Sequence, residues 1–291
     1  SNTSDFVEAS SAGPLPAKGS AHWVADVMAN LACDDISGGL ERTPVSFLND
    51  VDAEDLPYFE YTTTNVPGPG SDEQAFSEVF TGCICETACG AQCPCMVRCR
   101  QAVSRSPAPS VATVECSPTC PCNAACPNRI VQRGLHCRLQ VFKTQEKGFG
   151  VRALDPVLQG GYVCSYAGEV ISLDVARQRV AELDPADSSY VMVLREGGAV
   201  TLVVDPSQVG GVGRFLNHSC DPNLVMVPVR TECVVPELAL FARRDICAGE
   251  ELTYDYSDGS GSSSTGGRKK CFCVSKQCYG WLPFDQKVLG I

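Results

Sequence analysis

The chain has 291 residues, 44% of them apolar and 20% charged, enough for one large domain or two modest ones around an apolar core. Its formal net charge of -11 argues against sequence-independent binding to phosphate backbones and favours a basic partner, although many soluble proteins are acidic without one. No run of 18 apolar residues exists to cross a membrane as a helix, and residues 1–20 have neither the basic start nor the apolar stretch of a secretory signal.

Residues 1–20, rich in Ser, Ala, Gly and Pro, are expected to be disordered. From His22 to Leu31, the apolar residues Trp23, Val24, Val27, Met28 and Leu31 recur at helical spacing and predict a docking helix. Residues 57–70 (PYFEYTTTNVPGPG) read as an extended segment ending in Pro/Gly turns. A cysteine-rich block follows, from Gly82 to Arg129, with the polar linker SRSPAPSVAT (104–113) between its two halves. From Leu135 the pattern changes to short β-type runs: LQVF (139–142), YVCSY (162–166), SYVMVL (189–194), TLVVD (201–205), LVMVPV (224–229) and LALFA (238–242). A helix is predicted after Ser172, its N-cap, with Leu173, Ala176, Val180 and Leu183 on one face. SDGSGSSSTGGRKK (257–270) reads as a flexible loop leading to a last cysteine group.

Nineteen cysteines are many for this length, and the odd count excludes complete internal disulfide pairing. Ten fall between Cys83 and Cys126 and three between Cys271 and Cys278, with Cys33, Cys137, Cys164, Cys220, Cys233 and Cys247 scattered. The block reads Cys83-x-Cys85-x3-Cys89-x3-Cys93-x-Cys95-x3-Cys99, then Cys116-x3-Cys120-x-Cys122-x3-Cys126. A Cys-x-Cys pair cannot close an internal disulfide without severe strain, but it can place two thiolates on neighbouring metals. The block also has little apolar material to bury, so metal must replace the missing core. Zinc takes four thiolates in a tetrahedron, so a three-zinc cluster needs twelve cysteines unshared, or nine if three of them each bridge two metals. A disulfide framework is disfavoured by these spacings, and a DNA-binding zinc module by the lack of a basic run in the flanks. The terminal group, Cys271-x-Cys273-x4-Cys278, leaves a tetrahedral zinc one ligand short.

Four segments carry a family resemblance. Lys147–Arg152 (KGFGVR), Tyr166–Val170 (YAGEV), Arg214–Asn223 (RFLNHSCDPN) and Gly249–Tyr256 (GEELTYDY) resemble, in order, the signatures of SET-domain protein-lysine methyltransferases. The cysteine groups resemble the family's pre-SET and post-SET modules. The cysteine spacing and the continuation PNRIVQRG (127–134) are similar to the Su(var)-type histone H3 lysine-nine branch. GPG (68–70), GCIC (82–85), QVFKT (140–144), GRFLNHSC (213–220) and WLPFD (281–285) most resemble the SET portion of SETMAR-type enzymes.

The resemblance implies a mainly β fold with few helices: a SET-domain β-clip of short sheets with a knot-like C-terminal threading, flanked by zinc-cluster modules. It divides the chain into an N-terminal segment (1–56), pre-SET (57–134), SET (135–257) and a loop with the post-SET module (258–291). It implies a three-zinc cluster on Cys83, Cys85, Cys89, Cys93, Cys95, Cys116, Cys120, Cys122 and Cys126, with Cys99 spare, and one further zinc on Cys220, Cys271, Cys273 and Cys278. The donor would be S-adenosylmethionine, leaving as S-adenosylhomocysteine. The donor site would be formed by Lys147, Gly148, Phe149, Gly150, Tyr190, Arg214, Phe215, Asn217, His218, Tyr256, Phe272, Trp281 and Leu282. Tyr256 would hold the amine in line, Tyr166 and Tyr190 would line the lysine channel, and Tyr254 would occupy the product switch, favouring mono- and dimethylation. Two positions depart from the family pattern: Phe149 replaces a Trp and keeps an aromatic face, and Ser165 replaces a Glu.

Such chemistry asks for alignment and a neutral lysine more than for acid or base strength. A histone H3 tail or another basic lysine-containing peptide is the expected partner, in chromatin and the nucleus, without membrane contact or direct DNA binding. The competing readings are a histone H3 lysine-36 or non-histone methyltransferase, and a catalytically silent chromatin-binding module. A Cys–His hydrolase built on His218 and Cys220 is disfavoured, because neighbours two residues apart rarely reach nucleophile–base geometry.

Overall fold

The computed structural model describes residues 31–96, 113–183, 190–196, 198–257 and 269–283. The disorder expected for residues 1–20, nearly all of the His22–Leu31 helix and the 104–113 linker, Cys99, and most of the 257–270 loop lie outside the described residues.

Three β-sheets organise the described residues. The largest is six-stranded, in the order Leu31–Cys33, Val45–Asn49, Leu139–Lys143, Phe149–Ala153, Glu251–Tyr254 and Asn217–His218. Its centre is a hairpin whose alternate residues point inward: Leu139, Val141, Val151 and Ala153 are fully buried. Burying each of the leucine and valine side chains stabilises the fold by roughly 1.5–3 kcal/mol. A second sheet joins Met192–Glu196, Ala199–Gly210, Gly168–Val170 and Val66–Pro67, with Glu60–Tyr61 pairing onto the end of the long strand. The third joins Thr113–Val114, Leu224–Arg230, Glu237–Ala242 and Tyr162–Ser165. One continuous core, including Val45, Leu216, Leu224, Leu240 and Leu252, lies between them.

Most expected strands form. The run at 189–194 is shifted toward the C-terminus, to Met192–Glu196, and TLVVD is the middle of a twelve-residue strand. The helix after Ser172 spans Leu173–Glu182, and the Ser172 hydroxyl accepts from the Val175 N–H as an N-cap does. Of its predicted face, Ala176 is buried while Leu183 is 39% exposed and caps the helix end. Within the segment read as 1–56, Val45–Asn49 pairs in parallel with Leu139–Lys143, so this part of the chain is woven into the central sheet.

Two features of the topology build the site. Asn217–His218 pairs in parallel with Thr253–Tyr254, which sets the RFLNHSC and GEELTYDY segments side by side. Glu251–Leu252 pairs antiparallel with Val151–Arg152, which brings the 144–150 turn against both.

Candidate active site and metal centres

The cysteine block folds into a buried sulfur cluster. Cys83, Cys89, Cys93, Cys95, Cys116, Cys120, Cys122 and Cys126 are 0–6% exposed, and Cys85 is half-buried. None of these nine is in a disulfide. Three overlapping groups each bring four sulfurs within 4.8 Å of one another: Cys83, Cys85, Cys89 and Cys93; Cys83, Cys95, Cys116 and Cys120; and Cys83, Cys89, Cys116 and Cys122. Cys83, Cys89 and Cys116 recur between groups, and Cys126 lies 4.0 Å from Cys116, sulfur to sulfur. N–H donors turn toward the sulfurs: Cys83 N to Cys120, Cys89 N to Cys126, Asn128 Nδ2 to Cys116 and Arg129 Nη2 to Cys122. Thiols this dense, with donors aimed at them, fit metal thiolates.

A second group gathers Cys220 with Cys271, Cys273 and Cys278, again within 4.8 Å. Cys220 and Cys271 are 51 residues apart in sequence and 4.0 Å apart in space. The terminal unit is closed by hydrogen bonds from Cys271 N to Gly280 O and from Leu282 N to Lys269 O. Phe272, Trp281 and Leu282 sit on it, Phe272 under the Lys270 ammonium and Trp281 half exposed.

His218 links this group to the tyrosines. Its Nδ1 accepts the Tyr256 backbone N–H at 3.2 Å, which leaves the proton on Nε2, 3.4 Å from the Cys220 sulfur. Tyr166 and Tyr254, both buried, form an aromatic group with the half-buried Tyr256, with centroids 6.0 Å apart for the first pair and 4.8 Å for Tyr254 and Tyr256. The Tyr256 hydroxyl donates to Leu216 O at 2.6 Å, and the Tyr166 hydroxyl to Tyr190 O at 2.6 Å.

Comparison with known proteins decides the family. A SET domain model matches residues 148–257 and a Pre-SET motif model residues 37–129. The chain is 40% identical over 279 residues to mouse "Histone-lysine N-methyltransferase SETMAR", covering 87% of this chain and 90% of that protein. The protein belongs to the SET-domain histone-lysine N-methyltransferase family.

SET-family structures superpose on it. The methyltransferase domain of human SETMAR does so with a TM-score of 0.76 at 38% identity, covering 87% of this chain and 98% of that domain. KRYPTONITE, solved with mCHH DNA, an H3(1–15) peptide and SAH, does so with a TM-score of 0.68 at 26% identity, over 88% of this chain and 55% of that one. All four SET signatures fall within or abut the SET match. The Pre-SET match begins at Ser37, in the stretch whose strand Val45–Asn49 completes the central SET sheet.

The remaining predicted SET site residues surround a second feature beside the tyrosines. Gly148, at φ +69°, lets the 144–148 turn close, and the Thr144 hydroxyl donates to Gly148 O. A Cβ on Gly150 would stand 3.0 Å from both Asn217 Nδ2 and Glu251 Oε1. Asn217 donates to Phe149 O and to Glu251, whose other oxygen takes the Lys147 ammonium at 2.5 Å. Phe149 packs edge-on against Phe215. Arg214 is 5% exposed; its Nη2 donates to Ser207 O, while Nε and Nη1 have no partner among the described residues. Burial pulls its guanidinium below the usual arginine value.

Sequence reading did not find Phe59, whose ring lies 4.4 Å from the Arg214 guanidinium, nor Glu251, which ties Lys147 to Asn217. The PYFEY run signalled an aromatic extended segment, but nothing local places it beside Arg214.

Proposed function

We propose that this SET protein transfers methyl groups from S-adenosylmethionine to a lysine of the histone H3 tail, in nuclear chromatin. Lysine nine is the assigned target, and mono- and dimethyl-lysine are the favoured products. The observation that carries the reading is the Tyr256 hydroxyl: its proton is committed to Leu216 O, so its oxygen is free to accept from an amine.

Tyr166 is arranged alike toward Tyr190 O. Burial holds the hydroxyls of Tyr166, Tyr254 and Tyr256 well above the ordinary tyrosine value, so none offers a phenolate base near neutral pH. Their task is positioning. Removal from water and the sulfonium charge of a bound donor would disfavour an ammonium, and the Tyr256 and Tyr166 oxygens would accept the N–H bonds of a neutral amine and aim its lone pair. When bound, S-adenosylmethionine supplies a sulfonium-borne, electrophilic methyl group.

The residues present fit that donor. Two buried nitrogens of Arg214, Nε and Nη1, lack partners among the described residues, and an amino-acid carboxylate would give one of them a charged acceptor. The Lys147–Gly150 turn, Tyr190, Phe215, Asn217 and His218 would hold the rest, with Phe272, Trp281 and Leu282 over the adenine. Cys83, Cys85, Cys89, Cys93, Cys95, Cys116, Cys120, Cys122 and Cys126 would hold three zinc ions. Cys220, Cys271, Cys273 and Cys278 would hold one more.

The lysine-nine assignment rests on the cysteine spacing and the PNRIVQRG continuation, and the acidic chain suits a basic tail. H3 peptides carrying one candidate lysine each, incubated with labelled donor and mapped by mass spectrometry, test it. Label at lysine nine is expected. Label at lysine 36 alone overturns the target, and silence on every histone and non-histone lysine peptide overturns the activity.

A further inference from the structure

Arg214 is an unusual arginine. A buried guanidinium ordinarily has a carboxylate beside it, because an uncompensated buried charge costs several kcal/mol. The nearby Asp205 is already committed to Arg179 and Ser207. What surrounds Arg214 instead is aromatic: Phe59 at 4.4 Å, Tyr190 at 5.0 Å and Phe215 at 5.1 Å from its central carbon. Rings stacked on a guanidinium stabilise its charge through the π face and leave its in-plane N–H edge open.

Phe59 is the nearest of the three rings and the most remote in sequence. It precedes the strand Glu60–Tyr61, which pairs in parallel with Val209–Gly210, and Thr62 N donates to Gly210 O. Its ring meets Phe215 edge-on at 5.5 Å and Tyr61 at 6.1 Å. The Tyr61 hydroxyl in turn donates to Glu41. Phe59 is thus held on both sides, and its position over Arg214 is set by the fold.

We propose that Phe59 is a positioning residue for the methyl donor: it fixes the plane of the Arg214 guanidinium so that an unpartnered N–H, at Nε or Nη1, meets the donor's carboxylate. The segment ahead of the cysteine block thereby contributes to donor affinity. The inference rests on the donor reading given above.

Phe59→Leu keeps most of the volume and removes the π face. Calorimetry on the zinc-loaded full chain should show S-adenosylmethionine binding weakened about tenfold, the scale of one desolvated cation–π contact. The KM for peptide and the kcat at saturating donor should stay within about twofold of the original protein. Phe59→Tyr should bind as the original does. An analogue of the donor lacking its carboxylate separates positioning from packing: the original protein and Phe59→Leu should bind it equally. Equal weakening of both ligands, or no weakening of either, overturns the inference. Binding of neither ligand by the original protein sinks the donor reading and this inference with it. If Phe59→Leu does not fold, as judged by melting and zinc content, pentafluorophenylalanine at position 59 takes its place. It keeps the ring's shape, reverses its quadrupole and should give the same carboxylate-dependent loss; full affinity there overturns the inference.

Discussion

The Tyr256 hydroxyl donates to the backbone oxygen of Leu216 at 2.6 Å, across two segments held in parallel register by the pairing of Asn217 with Thr253. This bond decides which way the hydroxyl proton points and leaves the oxygen as an acceptor. Tyr256→Phe keeps the ring and removes that oxygen. We expect kcat to fall on the order of 100-fold or more, with donor affinity by calorimetry within about threefold of the original protein. Retention of most of the kcat would remove Tyr256 from its assigned role.

Tyr254 packs between Tyr166 and Tyr256 and is 4% exposed, so in the proposed reading its hydroxyl would crowd the amine. Tyr254→Phe opens that space. Mass spectrometry of H3 peptide products should shift from mono- and dimethyl-lysine toward trimethyl-lysine. An unchanged product ratio rejects Tyr254 as the product switch.

The two sulfur groups differ in what they support. Cys116 is fully buried and shared between ligand groups, whereas Cys278 belongs to the terminal group alone. Cys116→Ser is expected to lose zinc from the first cluster, with melting at a clearly lower temperature, since metal stands in for a core there. Cys278→Ser should lose about one zinc by elemental analysis, keep the main melting transition and lose methyl transfer. Undiminished zinc in either variant contradicts the assignment.

Glu237 is half-buried at the start of its strand, and desolvation, with a further push from Glu232, raises its pKa to about 7. A folded-state pKa above the unfolded one favours folding in acid. The contribution is full below about pH 4.5 and is lost as pH rises through about 7, a change on the order of 2 kcal/mol after allowance for residual water contact. Glu237→Gln should flatten that part of the stability–pH curve and raise stability at pH 8. Urea titrations at pH 5 and pH 8 check it; identical pH slopes in both proteins count against it.

The Ser172 hydroxyl accepts the Val175 N–H at 3.3 Å at the start of Leu173–Glu182. Ser172→Ala should cost about 1 kcal/mol and lower the melting temperature by a few degrees without touching methyl transfer.

That cap was legible because it is local: a serine, an aspartate in the first turn and an apolar face lie within one short window. The strand at 139–142 was legible for the same reason, since inward Leu139 and Val141 alternate with outward residues, whereas its partner Phe149–Ala153 was read only as a signature turn. Val45–Asn49 escaped notice because its third inward position is Asn49, a polar residue that a hydropathy pattern places outside. It is fully buried, with its side chain bonded to the 51–54 turn. No alternation of apolar residues marks such a strand.

The linear order of residues determined the chemistry available to this protein: close-set thiols for zinc, and signature segments that bring tyrosine, asparagine, histidine and arginine in a recognisable sequence. Only the tertiary structure decided who meets whom. Glu251 ties Lys147 to Asn217, Phe59 lies over Arg214, and the Leu216 carbonyl orients Tyr256. The physical reason is range. Spacing along a chain constrains neighbours within a turn or two, while contacts between distant segments are set by sheet register and by the packing of one shared core.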